Sequence, residues 1–531
     1  MGYWAQAPMQ REQMTLFAPT LDAMIGEGHP VRLFDEILAG CRWSEWEAEY
    51  DGKRGQPPIH PRIIASVILY GLLRGIRSSR VLEYAVTHNI DFLWLAQGHS
   101  LDHSTICGFR TKFRQGLKDL FRQLNQIAMT MGLILLKEVG LDGTRVKANN
   151  GRFETLTAAG LQEQLSALDT IIEEMLQQAE GADAADQELF ETGRSTQQLP
   201  PNLAELKSRQ EQLKQALEKV QAADEARRRE GIDPKKNPAQ LPTTDSDSRV
   251  LPNKEGGYAP NYTPMAATDV HRGFIVDDDV IASTSEHLVT VPTVDRIEEN
   301  YGQRLENLLA DGAHATGPNM EALEQRGVEF FSHLPSPKTA GDNPAIRDDP
   351  TQAVPASEWE KLPRNPQTKK LDKSAFVYDE EKDVYFCPQG EPLPYHETKS
   401  KVDAEGNRTY FRVYRCEQCE GCSLNPECRS DKSKRGRTVS RDEHEKRRQQ
   451  FAEKMARPES KATYSKRLHG AETPFAILKR VLGLRQFLLR GLEKVKIEWS
   501  WACTAFNLGK LVREVGRLRA EFSNLMAEGE G

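Results

Sequence analysis

Two aspartates each end a short apolar stretch and precede a glycine: Asp142 in VGLDG and Asp311 in LLADG. An Asp-Gly pair is common in turns, so each aspartate could serve only to end a strand. If the two strands are neighbours in one α/β sheet, however, both carboxylates lie at the same sheet edge, where like charges repel unless a cation bridges them. Oxygen ligands favour Mg²⁺ or Mn²⁺ over zinc, so the pair predicts a divalent-metal site.

A third carboxylate is expected for such a site, and Glu472 in TYSKRLHGAETPFAILKR is the best candidate. It precedes a stretch with helical spacing, and Lys479 follows seven residues later on the same helix face. An ordinary amphipathic helix has the same pattern. A two-metal site for phosphoryl transfer would nevertheless use this carboxylate for metal and this ammonium for phosphate. Glu493 and Glu498 are alternatives, but neither has a lysine seven residues later.

A second group of reactive side chains consists of five of the eight cysteines, which cluster between residues 387 and 428. Two CxxC steps occur among Cys387, Cys416, Cys419, Cys422 and Cys428. In a cytoplasmic protein these thiols predict zinc rather than disulfides, and four thiolates would stabilise a small segment with no core of its own. The preferred ligands are Cys387, Cys419, Cys422 and Cys428, with Cys416 as the alternative. Reduced thiols in an inserted loop are the competing interpretation, and the remaining cysteines, at 41, 107 and 503, are expected to be buried.

The elements that must position these residues change character along the chain. Residues 1–133 have helical spacing throughout, and the segment RGIRSSR between two short helices is compatible with a helix-turn-helix that presents Arg74, Arg77 and Arg80 to DNA. Any small helical bundle would look similar. Residues 134–153 contain the first strand. In residues 154–248 leucines recur at steps of three and four residues, and this spacing predicts an antiparallel helical hairpin of coiled-coil type.

Strand-like sequence returns in residues 249–340, where a predicted hairpin is followed by a helix, the strand before Asp311, a second helix and a last strand. Residues 341–440 form a linker and the cysteine-rich segment, and residues 441–531 contain the glutamate helix and the C-terminal helices. The sequence therefore predicts an α/β domain with two insertions, the helical hairpin and the cysteine-rich segment. Because these insertions separate the three carboxylates, their proximity depends on tertiary folding.

Charge is distributed unevenly along the chain, although its sum is only -7. All charged residues between Arg152 and Arg194 are acidic, whereas the segment that begins at RSDKSKRGR is rich in lysine and arginine. The basic segment could hold a polyanion, which the acidic one would repel. Without an apolar run of about 18 residues or a signal-peptide pattern, the sequence predicts a cytoplasmic protein with no membrane partner.

Three motifs together resemble the DDE transposases of bacterial insertion sequences: LDGTRVKAN, LLADGAH and YSKRLHGAETPFAILKR. The segment from GLLRGIRSSR to ICGFR is similar to the helical N-terminal domain of one branch of that family, and FLLRGLEKVKIEWSWACTAFNLGKL is similar to its closing helix. The resemblance implies a ribonuclease-H-like mixed sheet with helices, beside an all-α N-terminal domain. It also implies that Asp142, Asp311 and Glu472 hold two Mg²⁺ or Mn²⁺ ions.

The family also has a Tyr, Arg, Glu and Lys signature, which corresponds here to Tyr464, Arg467, Glu472 and Lys479. Four residues separate the arginine from the glutamate, where the general form has three, so the arginine matches less well. A second departure is His314, where many relatives carry a tyrosine. This histidine is either an additional neighbour of phosphate or metal or an incidental polar residue.

The resemblance implies an enzyme that cleaves and joins DNA at the ends of its own element. Its partners would be double-stranded DNA with terminal inverted repeats, target DNA and a second copy of the chain, and bound to DNA it would lie at the nucleoid. Lys479 and Arg467 would bind phosphates, Tyr464 a base or phosphate, and Arg77 and Arg80 the DNA. The alternative is a catalytically inactive DNA-binding protein derived from a transposase, but the presence of all three carboxylates favours the enzyme. A zinc hydrolase is disfavoured because no HExxH motif occurs.

Overall fold

The computed structural model describes residues 20–50, 57–151, 154–189, 201–229, 231–253, 256–333, 343–402, 408–429 and 436–529. The predictions for the first 19 residues, for most of the polar linker STQQLPPN and for much of the basic stretch at 430–435 lie outside these ranges. No helix in the described ranges is both long enough and apolar enough to cross a membrane.

The N-terminal part of the chain is helical, as predicted. Its helices are α1 (Pro30–Ala39), α2 (Ser44–Glu47), α3 (Pro61–Leu73), α4 (Ser79–His88), α5 (Ile90–Leu95), α6 (His103–Lys112) and α7 (Arg114–Thr130). The sequence RGIR links α3 to α4, and Gly75 within it has a φ of 73° that an L side chain would resist.

The first strands and the inserted hairpin follow. They are β1 (Glu138–Gly143), β2 (Val146–Lys147), β3 (Thr155–Leu156), α8 (Ala158–Leu189) and α9 (Pro201–Arg229). Helices α8 and α9 pack on each other through a separate apolar cluster that includes Leu161, Leu165, Leu213 and Val220. The leucine spacing therefore predicted this pair of helices correctly.

The middle of the chain contains most of the strands expected from the sequence. They are β4 (Leu241–Pro242), β5 (Arg249–Pro252), β6 (Tyr258–Asp269), β7 (Phe274–Ile281), α10 (Thr290–Tyr301), β8 (Asn307–Ala310), α11 (Gly317–Arg326) and β9 (Glu329–Ser332). Strands β6 and β7 form the predicted hairpin. Helices α10 and α11 and strand β9 lie in the segments where the spacing of apolar residues predicts them.

The central sheet has the order β7-β6-β1-β8-β9, with β2 and β5 also paired to β6. Strand β1 is antiparallel to β6 but parallel to β8, which is in turn parallel to β9. The fold is thus mixed α/β, as the sequence predicts, with β1 at the junction between the antiparallel and parallel halves.

A second sheet carries the cysteine-rich segment. It consists of β10 (Val377–Asp379), β11 (Val384–Phe386), β12 (Pro392–Val402), β13 (Arg408–Arg415) and β14 (Thr438–Arg441), with α12 (Asn425–Cys428) beside it. This sheet has its own apolar cluster, which contains Cys387 and Cys416, so the expectation of a segment with no core of its own was wrong. The buried aromatic residues that form the cluster come from several separate segments, which local sequence does not reveal.

The C-terminal helices return to the central sheet. They are α13 (Glu445–Ala456), α14 (Pro458–Ser465), α15 (Arg467–Arg480) and α16 (Leu492–Gly529). Helix α16 packs on β7 and on α3 and α7, so the N-terminal helices share one apolar core with the sheet. The rings of Trp46, Phe109 and Trp501, for example, contact one another in this core.

All eight cysteines are free thiols. Cys41 and Cys503 are buried as predicted, but Cys107 is exposed. The prediction for Cys107 was wrong because apolar neighbours in sequence do not share its side of α6, from which Ile106 and Phe109 enter the core.

Candidate active site

The register of the central sheet brings Asp142 and Asp311 side by side. Leu141 pairs with Ala310 in the parallel ladder between β1 and β8, and the next residues are Asp142, still within β1, and Asp311, directly after β8. Neighbouring strands lie about 4.8 Å apart, and residues level with each other point to the same face of a sheet. Asp142 is buried, whereas the Asp311 side chain is 38% exposed. The sequence-based expectation that two strand ends carry neighbouring aspartates therefore agrees with the register.

Helix α15 covers the face from which Asp142 projects. A Cβ atom at Gly140 would lie 3.2 Å from the Ala471 Cβ, so the absence of a side chain lets the helix approach the strand. Side chains two residues apart on a strand share a face, which places Asp142 on the side of this contact. Glu472 follows Ala471 directly, so the glutamate helix is seated beside the two aspartates.

Two lysines align α15 with β1. Lys466 precedes the helix and lies 2.5 Å from the Glu138 carboxylate at the start of the strand. Lys479, near the other end, donates hydrogen bonds of 2.5 Å to the Thr144 hydroxyl and 3.0 Å to the Arg145 carbonyl. The helix thus runs along the strand in the same direction, with Glu472 between its two anchored ends.

The side chains themselves are less closely gathered than the elements that carry them. Glu472 is exposed. Within the described ranges, no three histidine, cysteine, aspartate or glutamate side chains are arranged so that they could hold a metal ion. The structure therefore places Asp142 and Asp311 on adjacent strands and Glu472 on the helix that packs against β1, but it does not gather their carboxyl groups into a ligand set.

Arg467 contacts Asp142 directly. Its Nη2 atom lies 3.2 Å from Asp142 Oδ1, and the two side chains are 14% and 11% exposed. The same carboxylate oxygen accepts a hydrogen bond of 2.8 Å from the Gly143 amide, while the Arg467 Nε has no hydrogen-bond partner among the described residues. A cation at Asp142 would compete with this guanidinium for the carboxylate.

His314 is fully buried beside Asp311. Its Nε2 atom lies 3.8 Å from Asp311 Oδ1, and its Nδ1 atom is 2.9 Å from the Thr290 hydroxyl. Burial lowers the pKa of His314 to about 4, so the imidazole is neutral near pH 7. The sequence drew attention to this position only because the residue type was unusual, and its burial is a result of the fold.

Arg145 and Glu286 are site residues that sequence reasoning missed. Arg145 Nη1 lies 2.9 Å from Glu286 Oε1 and 2.7 Å from the Thr263 hydroxyl, and both charged side chains are largely buried. A Cβ atom at Gly143 would lie 2.8 Å from Glu286 Oε2, so the pair packs against the segment after Asp142. Proximity to LDG could have suggested Arg145, but Glu286 is 141 residues farther along and gave no signal.

The remaining predicted DNA contacts have different surroundings. The Arg77 side chain is 13% exposed and donates hydrogen bonds to the carbonyls of Gly483 and Gln486, at 2.8 and 2.6 Å, and to Glu498 at 2.6 Å. Arg80 is exposed, and Tyr464 on α14 is partly buried. Of the two arginines, Arg80 is the one whose side chain faces solvent.

The two alternative glutamates are engaged outside the site. Glu498 accepts the Arg77 ion pair and the backbone amides of Leu488 and Leu489. Glu493 pairs with Arg114 at the surface. Neither lies on α15, so the structure is consistent with the preference for Glu472.

The five clustered cysteines line a single pocket next to the second sheet, with Leu371 and Phe376. A hydrogen bond with the Cys416 thiol lowers the pKa of Cys387 to about 7, whereas burial raises the pKa of Cys428 to about 11. Cys416, the alternative ligand, is therefore in contact with a member of the preferred set. As at the aspartates, the described side chains do not form a ready metal-binding group.

Two family models match the chain. A "Transposase DDE domain" model matches residues 386–512, and a "Transposase domain (DUF772)" model matches residues 19–112. The first range contains the five clustered cysteines and helix α15, and the second contains α1 to α6, whereas Asp142 and Asp311 lie outside both. No curated protein and no solved structure matches the chain significantly.

Proposed function

We propose that the chain is a DDE transposase of the insertion-sequence type, which the two matching family models support, and that it cleaves DNA at the ends of its own element and joins those ends to new DNA. Asp142, Asp311 and Glu472 are the proposed catalytic carboxylates. In this proposal the enzyme acts as a dimer on paired terminal inverted repeats, and the sheet with its covering helix is a ribonuclease-H-like catalytic domain.

The observation that carries this proposal is the parallel register of β1 and β8, in which Asp142 and Asp311 follow the paired residues Leu141 and Ala310. The two residues are 169 positions apart in sequence, and their meeting at one sheet edge has no local cause. The close approach of Ala471 to Gly140 supports the inclusion of Glu472, which is the next residue on the helix that packs against β1. An all-carboxylate donor set of this kind fits Mg²⁺ or Mn²⁺.

Two such ions would activate the attacking hydroxyl and stabilise the leaving oxygen during phosphoryl transfer. The carboxylates would hold them after rotation of the Glu472 side chain toward the sheet edge. Arg467 would leave Asp142 when a cation arrives and would then pair with a DNA phosphate, for which its planar fork is suited. Lys479, anchored at Thr144, would keep its positive charge near the same phosphates.

Glu472→Gln is the sharpest test among the carboxylates, because the sequence offered two competing glutamates. We expect this variant to lose at least about 10²-fold in the rate of DNA cleavage in Mg²⁺ or Mn²⁺, since it removes one charge from the metal-binding set. Glu493→Gln is the matched control and should cleave at the wild-type rate. The measurement is single-turnover cleavage of a labelled DNA fragment that contains one end of the element.

Similar rates for Glu472→Gln and wild type would remove Glu472 from the triad. If the wild-type protein bound the DNA end tightly but did not cleave it in either metal, the alternative of an inactive DNA-binding derivative would be correct. The salt dependence of DNA binding shows whether a variant has lost phosphate contacts or its fold. Each lost phosphate contact lowers the slope of log K against log salt by about one.

We also propose that the pocket lined by the clustered cysteines binds one structural zinc ion. Thiolates suit zinc, and five of them around one pocket exceed the four that a closed site requires. Cys387 and Cys416 are hydrogen-bonded to each other beside this pocket, so Cys416 stays the alternative to a member of the preferred set. The zinc would add to the stability of a segment that already has an apolar cluster with buried Phe376, Tyr385 and Tyr414.

Metal analysis of the purified full-length protein is expected to give about one zinc per chain. The double variant Cys419→Ser, Cys422→Ser should lower the zinc content several-fold and release the cysteine-rich segment to limited proteolysis, because only three of the five thiols then remain around the pocket. Cys107→Ser, at an exposed thiol outside the pocket, is the control and should retain zinc. A wild-type protein purified without chelator that contains no zinc would contradict the proposal.

A further inference from the structure

The His314 ring is held by a buried polar network on one side only. The Thr290 hydroxyl lies 2.9 Å from both the His287 carbonyl and His314 Nδ1. The Asn319 amide nitrogen lies 3.0 Å from the Thr290 hydroxyl and 3.0 Å from the His314 carbonyl. Thr290 and His314 are fully buried and Asn319 is 8% exposed, so the ring orientation is set by the protein.

This network favours one tautomer of the ring. The Thr290 hydroxyl has one proton, which it donates to the His287 carbonyl. The proton in the hydrogen bond between Thr290 and His314 must therefore be on His314 Nδ1. The Nε2 atom is then a bare lone pair. In the opposite arrangement Nε2 would be a buried N–H with Asp311 Oδ1 3.8 Å away, too far for a hydrogen bond. Orphaned buried donors are rare and cost about 1–3 kcal/mol, so the first arrangement is preferred.

A buried lone pair and a carboxylate oxygen then face each other without a proton between them. His314 Nε2 has no hydrogen-bond partner among the described residues, and the nearby Asp311 oxygen is itself negative. Asp311 Oδ1 accepts a hydrogen bond of 2.9 Å from the Ala313 amide, but the described residues offer no donor to His314 Nε2, and a cation between the two atoms would satisfy that lone pair. Two atoms that bind the same small divalent ion, each at about 2.1 Å, lie no more than about 4.2 Å apart. The 3.8 Å between His314 Nε2 and Asp311 Oδ1 is within that limit.

We propose that His314 Nε2 is a nitrogen ligand of the cation held by Asp311, and that the site consequently prefers Mn²⁺ or another divalent transition metal to Mg²⁺. The inference rests on the proposed function, which places a cation at Asp311. A histidine ligand normally donates its second ring N–H to an oxygen, and Thr290 provides this oxygen at Nδ1. Mg²⁺ demands oxygen ligands, whereas imidazole suits transition metals, so one nitrogen in the set shifts the preference.

Pulsed electron paramagnetic resonance of Mn²⁺ bound to the full-length protein tests this directly, because a coordinated imidazole gives a ¹⁴N modulation of the Mn²⁺ echo. We expect the modulation in the wild type and its replacement by a ¹⁵N pattern when only histidine is ¹⁵N-labelled, a readout that needs no variant. His314→Gln should lose the modulation and bind Mn²⁺ at least about tenfold more weakly, with a smaller change for Mg²⁺. His271→Gln, in the exposed turn after β6, is the matched control and should retain both.

The outcomes separate this inference from the function on which it rests. Mn²⁺ that binds the wild type, is lost in Asp311→Asn and shows no histidine nitrogen would overturn the role of His314 and leave the carboxylate site intact. Failure of the wild type to bind Mn²⁺, or binding that Asp311→Asn does not affect, would overturn both. A ¹⁵N-sensitive modulation that His271→Gln keeps and His314→Gln loses would establish the ligand.

Discussion

Replacing Asp142 by asparagine is expected to lower the rate of DNA cleavage by at least about 10³-fold, because the substitution removes a metal-binding charge while the shape of the side chain is kept. The buried position of Asp142 makes the loss hard to compensate by water or by another side chain. Asparagine still offers an oxygen to the Gly143 amide, so the strand end should stay in place. The measurement is single-turnover cleavage at the end of the element in Mg²⁺ and in Mn²⁺.

DNA binding should survive this substitution, since removal of a negative charge near the phosphates cannot weaken their attraction to the protein. Asp295→Asn, at a half-exposed aspartate on α10 that pairs with Arg326, is the control and should cleave normally. The same loss is expected for Asp311→Asn. An Asp142→Asn protein that cuts within a few-fold of wild type would show that the sheet edge is not the catalytic centre.

Replacing Arg77 by alanine is expected to destabilise the fold by about 3–5 kcal/mol, the usual cost of removing one partner of a buried ion pair. The guanidinium joins the start of α4 to the Gly483 and Gln486 carbonyls and to Glu498 on α16, and both charged side chains are 13% exposed. Alanine would leave Glu498 and two carbonyls without this donor. Chemical denaturation followed by circular dichroism measures the change in unfolding free energy.

Arg80→Ala is the matched comparison, because Arg80 is exposed on α4, just after the link that contains Arg77, and its truncation should alter stability by no more than about 0.5 kcal/mol. If Arg80 contacts DNA, its loss should weaken binding and reduce the salt dependence instead. The double variant Arg77→Met, Glu498→Gln should be more stable than Arg77→Ala, since it leaves no unpaired buried charge. A normally stable Arg77→Ala protein with weakened DNA binding would restore the original expectation of a DNA contact.

Much of the fold could be read from local patterns. Alternating and three-to-four-residue spacings predicted the β6–β7 hairpin, helices α10 and α11 and the α8–α9 pair, because each pattern reflects one buried face of one element. Asp142 near the end of β1 and Asp311 directly after β8 were recognisable for the same reason, as polar residues that close apolar runs. Glu286 escaped notice because a glutamate in a short polar stretch has no pattern until Arg145 is brought to it.

The burial and the partners of individual side chains could not be predicted from local patterns. Burial of His314 depends on Thr290 and Asn319 from two other segments, and the contact of Arg467 with Asp142 joins residues 325 positions apart. Arg77 lies in an arginine-rich turn that looks suited to DNA, yet the packing of α16 and the loop before it draws the side chain inward. Residue type alone does not distinguish an arginine that binds phosphate from one that neutralises a buried carboxylate.

The sequence by itself therefore determined which residues can do chemistry and which elements carry them, since side-chain chemistry and periodicity are local properties of the chain. Tertiary structure decided which of these residues meet. The register of β1 and β8 places Asp142 beside Asp311, and the small residues at Gly140 and Ala471 allow the glutamate helix to approach them. These contacts arise from close packing between segments separated by long insertions, and packing is settled only when all the segments are assembled.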